Sequence, residues 1–280
     1  MFDLAALKDI LLYTNDGAGN AERLELCIDF ARRYDASLVV LYVGRFSTES
    51  LLVDAPPSGV LIEALEKERQ SRRKEARRLF ESKTATSGVA CEFRAEDGDP
   101  VQWLSLHGRY SDLVVVGQPA EPDDLLGIGG IPAALALSCG RPVLVIPRAG
   151  AQSLSARHIM IAWNGSREAT RAVNDALPLL QQAATVQVVS LGNLEQTASA
   201  APNCGEICRH LSRHGISAEA IELTEPEIGP AEMLLSFATQ HGAKLIVMGA
   251  YGHSRLREFA LGGMTRHLLS YSPIPLLLSH

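Results

Sequence analysis

Four glycines bracket a cation-bearing stretch near the carboxyl terminus, GAYGHSRLREFALGGMTR, residues 249–266. Gly249 follows the apolar run LIVM, Gly252 comes three residues later, and Gly262 and Gly263 close the stretch beside Thr265. A strand ending in glycine, a glycine-bearing turn and a following helix is suited to hold phosphate. Glycine lets backbone N–H groups approach an anion, and the helix start adds partial positive charge. Thr265 would add a hydroxyl, Arg255 or Arg257 would screen extra charge, and His253 could donate to the anion or simply be an exposed loop histidine. No lysine follows the glycines as in G-x-x-x-x-G-K-[ST], and the spacing is not G-x-G-x-x-G either.

Other chemistry has less support. Cys204 and Cys208 are four apart, as are His210 and His214, on what reads as one helix. A metal site there would need a third ligand that the sequence does not supply, so ordinary helix residues and a free thiol pair are expected. G-x-S-x-G and H-E-x-x-H are both absent, and no residue is assigned as catalytic or metal-binding. Trp103 and Trp163 read as packing residues, Trp163 standing next to Asn164.

The elements that must carry the glycine stretch recur twice along the chain. KDILLYTND and RHIMIAWNG are apolar strands running into Asn15 and Asn164, each followed by a helical pattern and a second strand. GDPVQWLSLHGRYSDLVVVG matches IGPAEMLLSFATQHGAKLIVMG, with Pro100 and Pro230 at a favoured first helical position and Asp99 as N-cap. GGIPAALALSCGRPVLVIP then matches GGMTRHLLSYSPIPLLLS. The chain therefore reads as a tandem duplication, residues 1–151 and 152–280, with the break in PRAGAQSLSAR. Each copy supplies about five strands alternating with helices. Continuous apolar runs such as Leu113 to Val116 and Leu245 to Met248 imply strands buried on both faces, in a parallel α/β sheet with right-handed crossovers. Ligands in such sheets sit beyond the carboxyl ends of the strands, where the glycine stretch begins. The charge-dense segment 63–83 reads as a solvated helix pinned by Leu65, Ala76, Leu79 and Phe80.

Composition narrows the function classes. A net charge of −6 leaves no basic footprint for nucleic acid. The longest uncharged run, Leu125 to Gly140, is too short for an ordinary membrane helix and is broken by glycine and proline. Five cysteines without a framework spacing fit reduced thiols. With no secretory pattern at the amino terminus, a cytoplasmic protein is expected.

The pattern G-x-x-G, nine residues, then a second glycine pair, and a proline before a closing apolar strand, together with WNGS early in the same copy, resembles the universal stress protein family. The resemblance spans both copies and is stronger in the second. It implies two tandem, doubly wound, five-stranded parallel-sheet domains of Rossmann-like type. It also implies that Pro142 to Ile146 pairs with Leu276 to Ser279, forming an internal pseudo-dimer. By position, the nucleotide-binding residues of the family become Asn164, Gly249, Gly252, Gly262, Gly263 and Thr265, with His253 in the same loop. The ligand implied is ATP or another adenine nucleotide, with Mg as an optional companion, in a stress-response protein that is regulatory rather than a dedicated enzyme. A homodimer and unidentified protein partners are compatible with it. Two departures stand out: Asn164 replaces the usual aspartate, and Gly263 and Met264 stand where serine is frequent. The first copy has QPAEPDDLLGIGG after Gly117, where Glu121, Asp123 and Asp124 would repel phosphate, so that copy is expected to hold no nucleotide. Two rival readings are a tandem stress protein acting only through protein contacts and an adenylate-forming α/β enzyme.

Overall fold

The computed structural model describes residues 7–17, 19–44, 59–119, 130–151, 153–154, 157–192, 204–224, 229–251 and 263–280. The first half runs β1 (Asp9–Thr14), α1 (Asn20–Tyr34), β2 (Ser37–Gly44), α2 (Gly59–Thr84), β3 (Cys91–Asp97), α3 (Pro100–Gly108), β4 (Leu113–Gly117), α4 (Gly130–Ser138) and β5 (Val143–Ile146). The second half repeats that order as β6 (His158–Ala162), α5 (Arg167–Asp175), α6 (Leu177–Leu180), β7 (Thr185–Gly192), α7 (Cys204–Arg213), β8 (Ala218–Thr224), α8 (Pro230–Gln240), β9 (Leu245–Gly249), α9 (Gly263–Tyr271) and β10 (Leu276–Ser279).

The ten strands form one sheet in the order β3-β2-β1-β4-β5-β10-β9-β6-β7-β8. Each half is a doubly wound parallel sheet, and the two halves read identically outward from the middle. The seam is β5 against β10, the sole antiparallel pairing among the described strands, with Leu277 opposite Leu144. The pairing of closing strands implied by the family resemblance is therefore present. Joining them removes two apolar edges that would otherwise expose unpaired backbone groups.

Helices cover both faces, which is why the central strands are apolar without alternation. One core layer gathers Leu24, Cys27 and Ile28 of α1, Ala172 and Val173 of α5, and Ile207 and Leu211 of α7. The other gathers Leu104 of α3, Ala133 and Leu135 of α4, Leu234 of α8 and Leu268 of α9. No residue of α2 is fully buried, and Leu79 and Phe80 are what pack it against the core. The helix signals act as read. Asp99 caps α3 by accepting from Val101 N at 3.0 Å, and Pro100 and Pro230 stand at the first positions of their helices. The pattern after Ser166, read as one helix, is broken at Ala176 into α5 and the single turn α6, which contains Pro178. Among the described residues no helix is long and apolar enough to cross a membrane.

Candidate functional site at the carboxyl edge of the second half

The strand order of each half reverses between its first and fourth strands, so the crevice lies beyond the ends of β6 and β9 in the second half. Asn164, exposed just past β6, turns the chain by accepting at Oδ1 from Ser166 N (3.1 Å). Ser166 is buried and caps α5, its Oγ accepting from Ala169 N at 3.1 Å. The α5 N-terminus is thereby fixed beside the crevice, with its partial positive charge directed there.

Gly249 ends β9, and what lies against it is the first turn of α5. A Cβ on Gly249 would stand 2.5 Å from Ala169 N and 2.6 Å from the Glu168 carbonyl carbon. Its missing side chain is thus a packing requirement in its own right, whatever approaches from solvent. Tyr251, two residues on, takes φ of 62°, a left-handed conformation unfavourable for a bulky residue. Its buried phenol meets no hydrogen-bond partner among the described residues, and burial pushes its pKa up. The backbone beneath it is tied to the terminus, His280 Nδ1 lying 2.9 Å from the Ala250 carbonyl. Across the crevice Gly263 begins α9 in an exposed position with open space around its Cα among the described residues, and Thr265 is buried in the first turn. Of the residues assigned from sequence, Asn164, Gly249, Gly263 and Thr265 thus stand at strand ends or a helix start. Gly252, His253 and Gly262 lie outside the described residues.

The corresponding edge of the first half is closed by polar contacts. Tyr42 OH donates to Asp16 Oδ1 at 2.7 Å, Arg72 of α2 reaches Asp16 Oδ2 at 3.1 Å, and Arg69 reaches Asp97 Oδ2 at 3.0 Å. Burial and the Asp16 carboxylate push the Tyr42 phenol up, so it remains a donor at any ordinary pH. In the second half the register places Gly165, Ser190 and Thr224 where Asp16, Tyr42 and Asp97 stand. A phenol and two carboxylates are replaced by a glycine and two small hydroxyls.

Sequence reasoning missed Glu168, Ser279 and Arg23. Glu168 looks like an ordinary acidic residue of a helix's first turn, yet it is 3% exposed. Arg23 holds the same relation to Gly117 as Glu168 to Gly249: its Nη1 is 2.7 Å from where a Gly117 Cβ would stand. Glycine at a strand end, a sign of close approach, was the available signal; it does not say what approaches. The cysteine–histidine helix brings no metal set together: among the described residues no three His, Cys, Asp or Glu groups cluster.

A model of the universal stress protein family matches residues 155–280. The carboxyl-terminal half is a universal stress protein domain. The universal stress protein Slr1230 of Synechocystis sp. (strain ATCC 27184 / PCC 6803 / Kazusa) is 26% identical over 170 residues, 59% of this chain. The chain covers 57% of the length of that relative. The crystal structure of a universal stress protein from Archaeoglobus fulgidus DSM 4304 superposes with a TM-score of 0.71 at 17% identity, covering 97% of this chain and 95% of that one. A functionally unknown protein from Pseudomonas aeruginosa PAO1 gives 0.58 at 17% identity, over 98% and 92%. At these identities the two structures speak for the fold alone. Both extend over the amino-terminal half as well as the universal stress protein domain.

Proposed function

We propose that residues 152–280 form the ligand-binding unit and hold an adenine nucleotide (ATP, ADP or AMP) at the carboxyl edge of β6 and β9, while residues 1–151 hold none. The protein acts as a regulatory stress-response binder, in the cytoplasm, without a dedicated catalytic base. The observation that carries this reading is the contrast between the two edges. The first half closes its own with the Asp16–Tyr42–Arg72 and Asp97–Arg69 contacts, whereas the second has Gly165, Ser190 and Thr224 in the same register. Asn164 would face the nucleoside, Gly249, Gly252, Gly262 and Gly263 would admit the phosphates, and Thr265 and His253 would supply donors. Support also comes from the helix starts at Ser166 and Gly263, since helix N-termini favour phosphate.

Acid extraction of the purified protein, followed by chromatographic identification of released nucleotide, tests the reading. The wild type is expected to release close to one adenine nucleotide per chain, Gly252→Asp to lose about tenfold in occupancy through like-charge repulsion, and Gly129→Asp to keep it. Retention in Gly252→Asp, or loss only in Gly129→Asp, assigns the site to the wrong half. A protein that neither carries nor takes up nucleotide acts instead through protein contacts.

A further inference from the structure

At the opposite, amino-terminal ends of its strands the first half holds a cleft of about 320 Å³, which opens between the starts of β1, β2 and β3 and the end of α3. Leu11 and Val39 belong to the core layer under α3 and form its apolar floor. The pleat puts Asp9 on the face of Leu11. It puts Glu92 and Arg94 on the face opposite that of Phe93, which packs in the other layer. Asp9, Glu92 and Arg94 therefore point to the cleft side, where His107 and the 79% exposed Tyr110 complete the wall.

The second repeat fills the same space with a side chain of its own. Val39 is in register with Leu11 and Glu92, as Gln187 is with Met160 and Glu219, and the same registers make Asp9 equivalent to His158. Gln187, 7% exposed, spans the strand starts: its Oε1 lies 3.2 Å from His158 Nε2, and its Nε2 donates to Glu219 Oε2 at 3.2 Å. A planar amide is thus held between a ring nitrogen and a carboxylate. In the first half Val39 brings no amide, and the flanking groups are Asp9 and Glu92, which both accept when ionised. The described hydrogen bonds of Asp9 use its backbone and leave its carboxylate to the cleft. Arg94, standing where the second half has Ile221, fixes Glu92 through Nε and Nη2, each 2.8 Å from a carboxylate oxygen. Its Nη1 lies 3.2 Å from His107 Nδ1. Burial and that guanidinium hold His107 below its usual pKa, so the ring is neutral at pH 7. Two carboxylates against one guanidinium leave the cleft wall negative.

We infer that this cleft binds a small organic cation carrying an amidinium or guanidinium group, seated where the Gln187 amide lies in the second half. Such a group is planar like the amide but donates on both sides, which matches acceptors at Asp9 and Glu92. The Glu92 oxygens keep lone pairs beyond those Arg94 takes. An apolar body would lie on Leu11 and Val39, and the Tyr110 ring offers its face to the positive charge. The volume is at the small end for ligand pockets, so the ligand is compact. The site lies at the other end of the strands from the proposed nucleotide edge, and neither reading depends on the other.

Saturation-transfer difference NMR on the full-length protein with benzamidine, benzamide and benzoate tests the site, because the three probes share a shape and differ in charge. Benzamidine is expected to bind saturably with a Kd of about a millimolar or tighter, benzamide more weakly and benzoate not at all. Asp9→Asn should weaken benzamidine about threefold to fivefold. Val39→Gln, which rebuilds the filling of the second half, should abolish binding, with circular dichroism showing both variants folded. Tyr110→Ala, at an exposed position, decides the matter through weaker binding if Val39→Gln does not fold. Benzoate binding as well as benzamidine, absence of saturable benzamidine binding, or unchanged binding in these folded variants overturns the proposal.

Discussion

Individual side chains at the helix–sheet boundary have their properties set by burial more than by sequence neighbours. Cys27 of α1 is 0% exposed, and burial pushes its thiol up to about 12 against the lowering field of Arg23. An unfolded cysteine ionises near pH 9, so the two states hold equal protons below pH 9 and the stability Cys27 confers is fully present there. Between pH 9 and 12 the unfolded chain releases a proton that the fold retains, and stability falls by about 1.4 kcal/mol per pH unit. Urea midpoints measured from pH 8 to 11 should therefore decline less steeply in Cys27→Ala than in the wild type. Parallel slopes would mean that the thiol is not held protonated. This behaviour follows from Cys27 lying beneath α1 against the sheet, and the cysteine count alone predicted only that the thiols are reduced.

At the scale of elements, the two strand-end glycines make a natural comparison. The sequence aligns Gly117 with Gly249, and either reads as the opening of a turn. What separates them is the element packed above. Over Gly249 lies α5 backbone, which cannot step aside without moving the helix; over Gly117 lies the end of the flexible Arg23 side chain. Gly249→Ala is accordingly expected to cost about 2–3 kcal/mol by overpacking, and Gly117→Ala less than about 1 kcal/mol, in urea denaturation of each variant. Equal costs would show that α5 does not press on β9 as described. The strands, the cap at Asp99 and the helix starts at Pro100 and Pro230 depend on neighbours within a few residues, so periodicity and spacing exposed them. The approach of α5 to β9 joins residues some eighty positions apart, and a single chain carries no local trace of that distance.

For the molecule as a whole, the β5–β10 seam joins the two repeats into one continuous sheet. Leu144 and Ile146 of the first half share a core layer with Val247 and Leu277 of the second, and the sheet crosses the seam without a break. Trp103 lies in the first half, its Nε1 donating to the Asp97 carbonyl, and Trp163 packs against the shared layer from the second. Single-tryptophan variants, Trp103→Phe and Trp163→Phe, should each show one fluorescence transition, with urea midpoints that match circular dichroism of the same variant. Separate transitions would mean that the halves unfold independently.

Duplication, strand and helix order and the parallel α/β class are properties of the chain as written, because hydrophobic runs and turn residues act locally. Pairing of the closing strands was legible only through the family resemblance, since nothing local to β5 or β10 names its partner. Tertiary structure alone decided the contrast between the halves: which carboxyl edge is sealed by Tyr42 and the α2 arginines, and which carries small residues beside a buried Glu168 and Ser279. Those arrangements rest on burial and on charges meeting across distant segments, and both exist only once the sheet has been assembled.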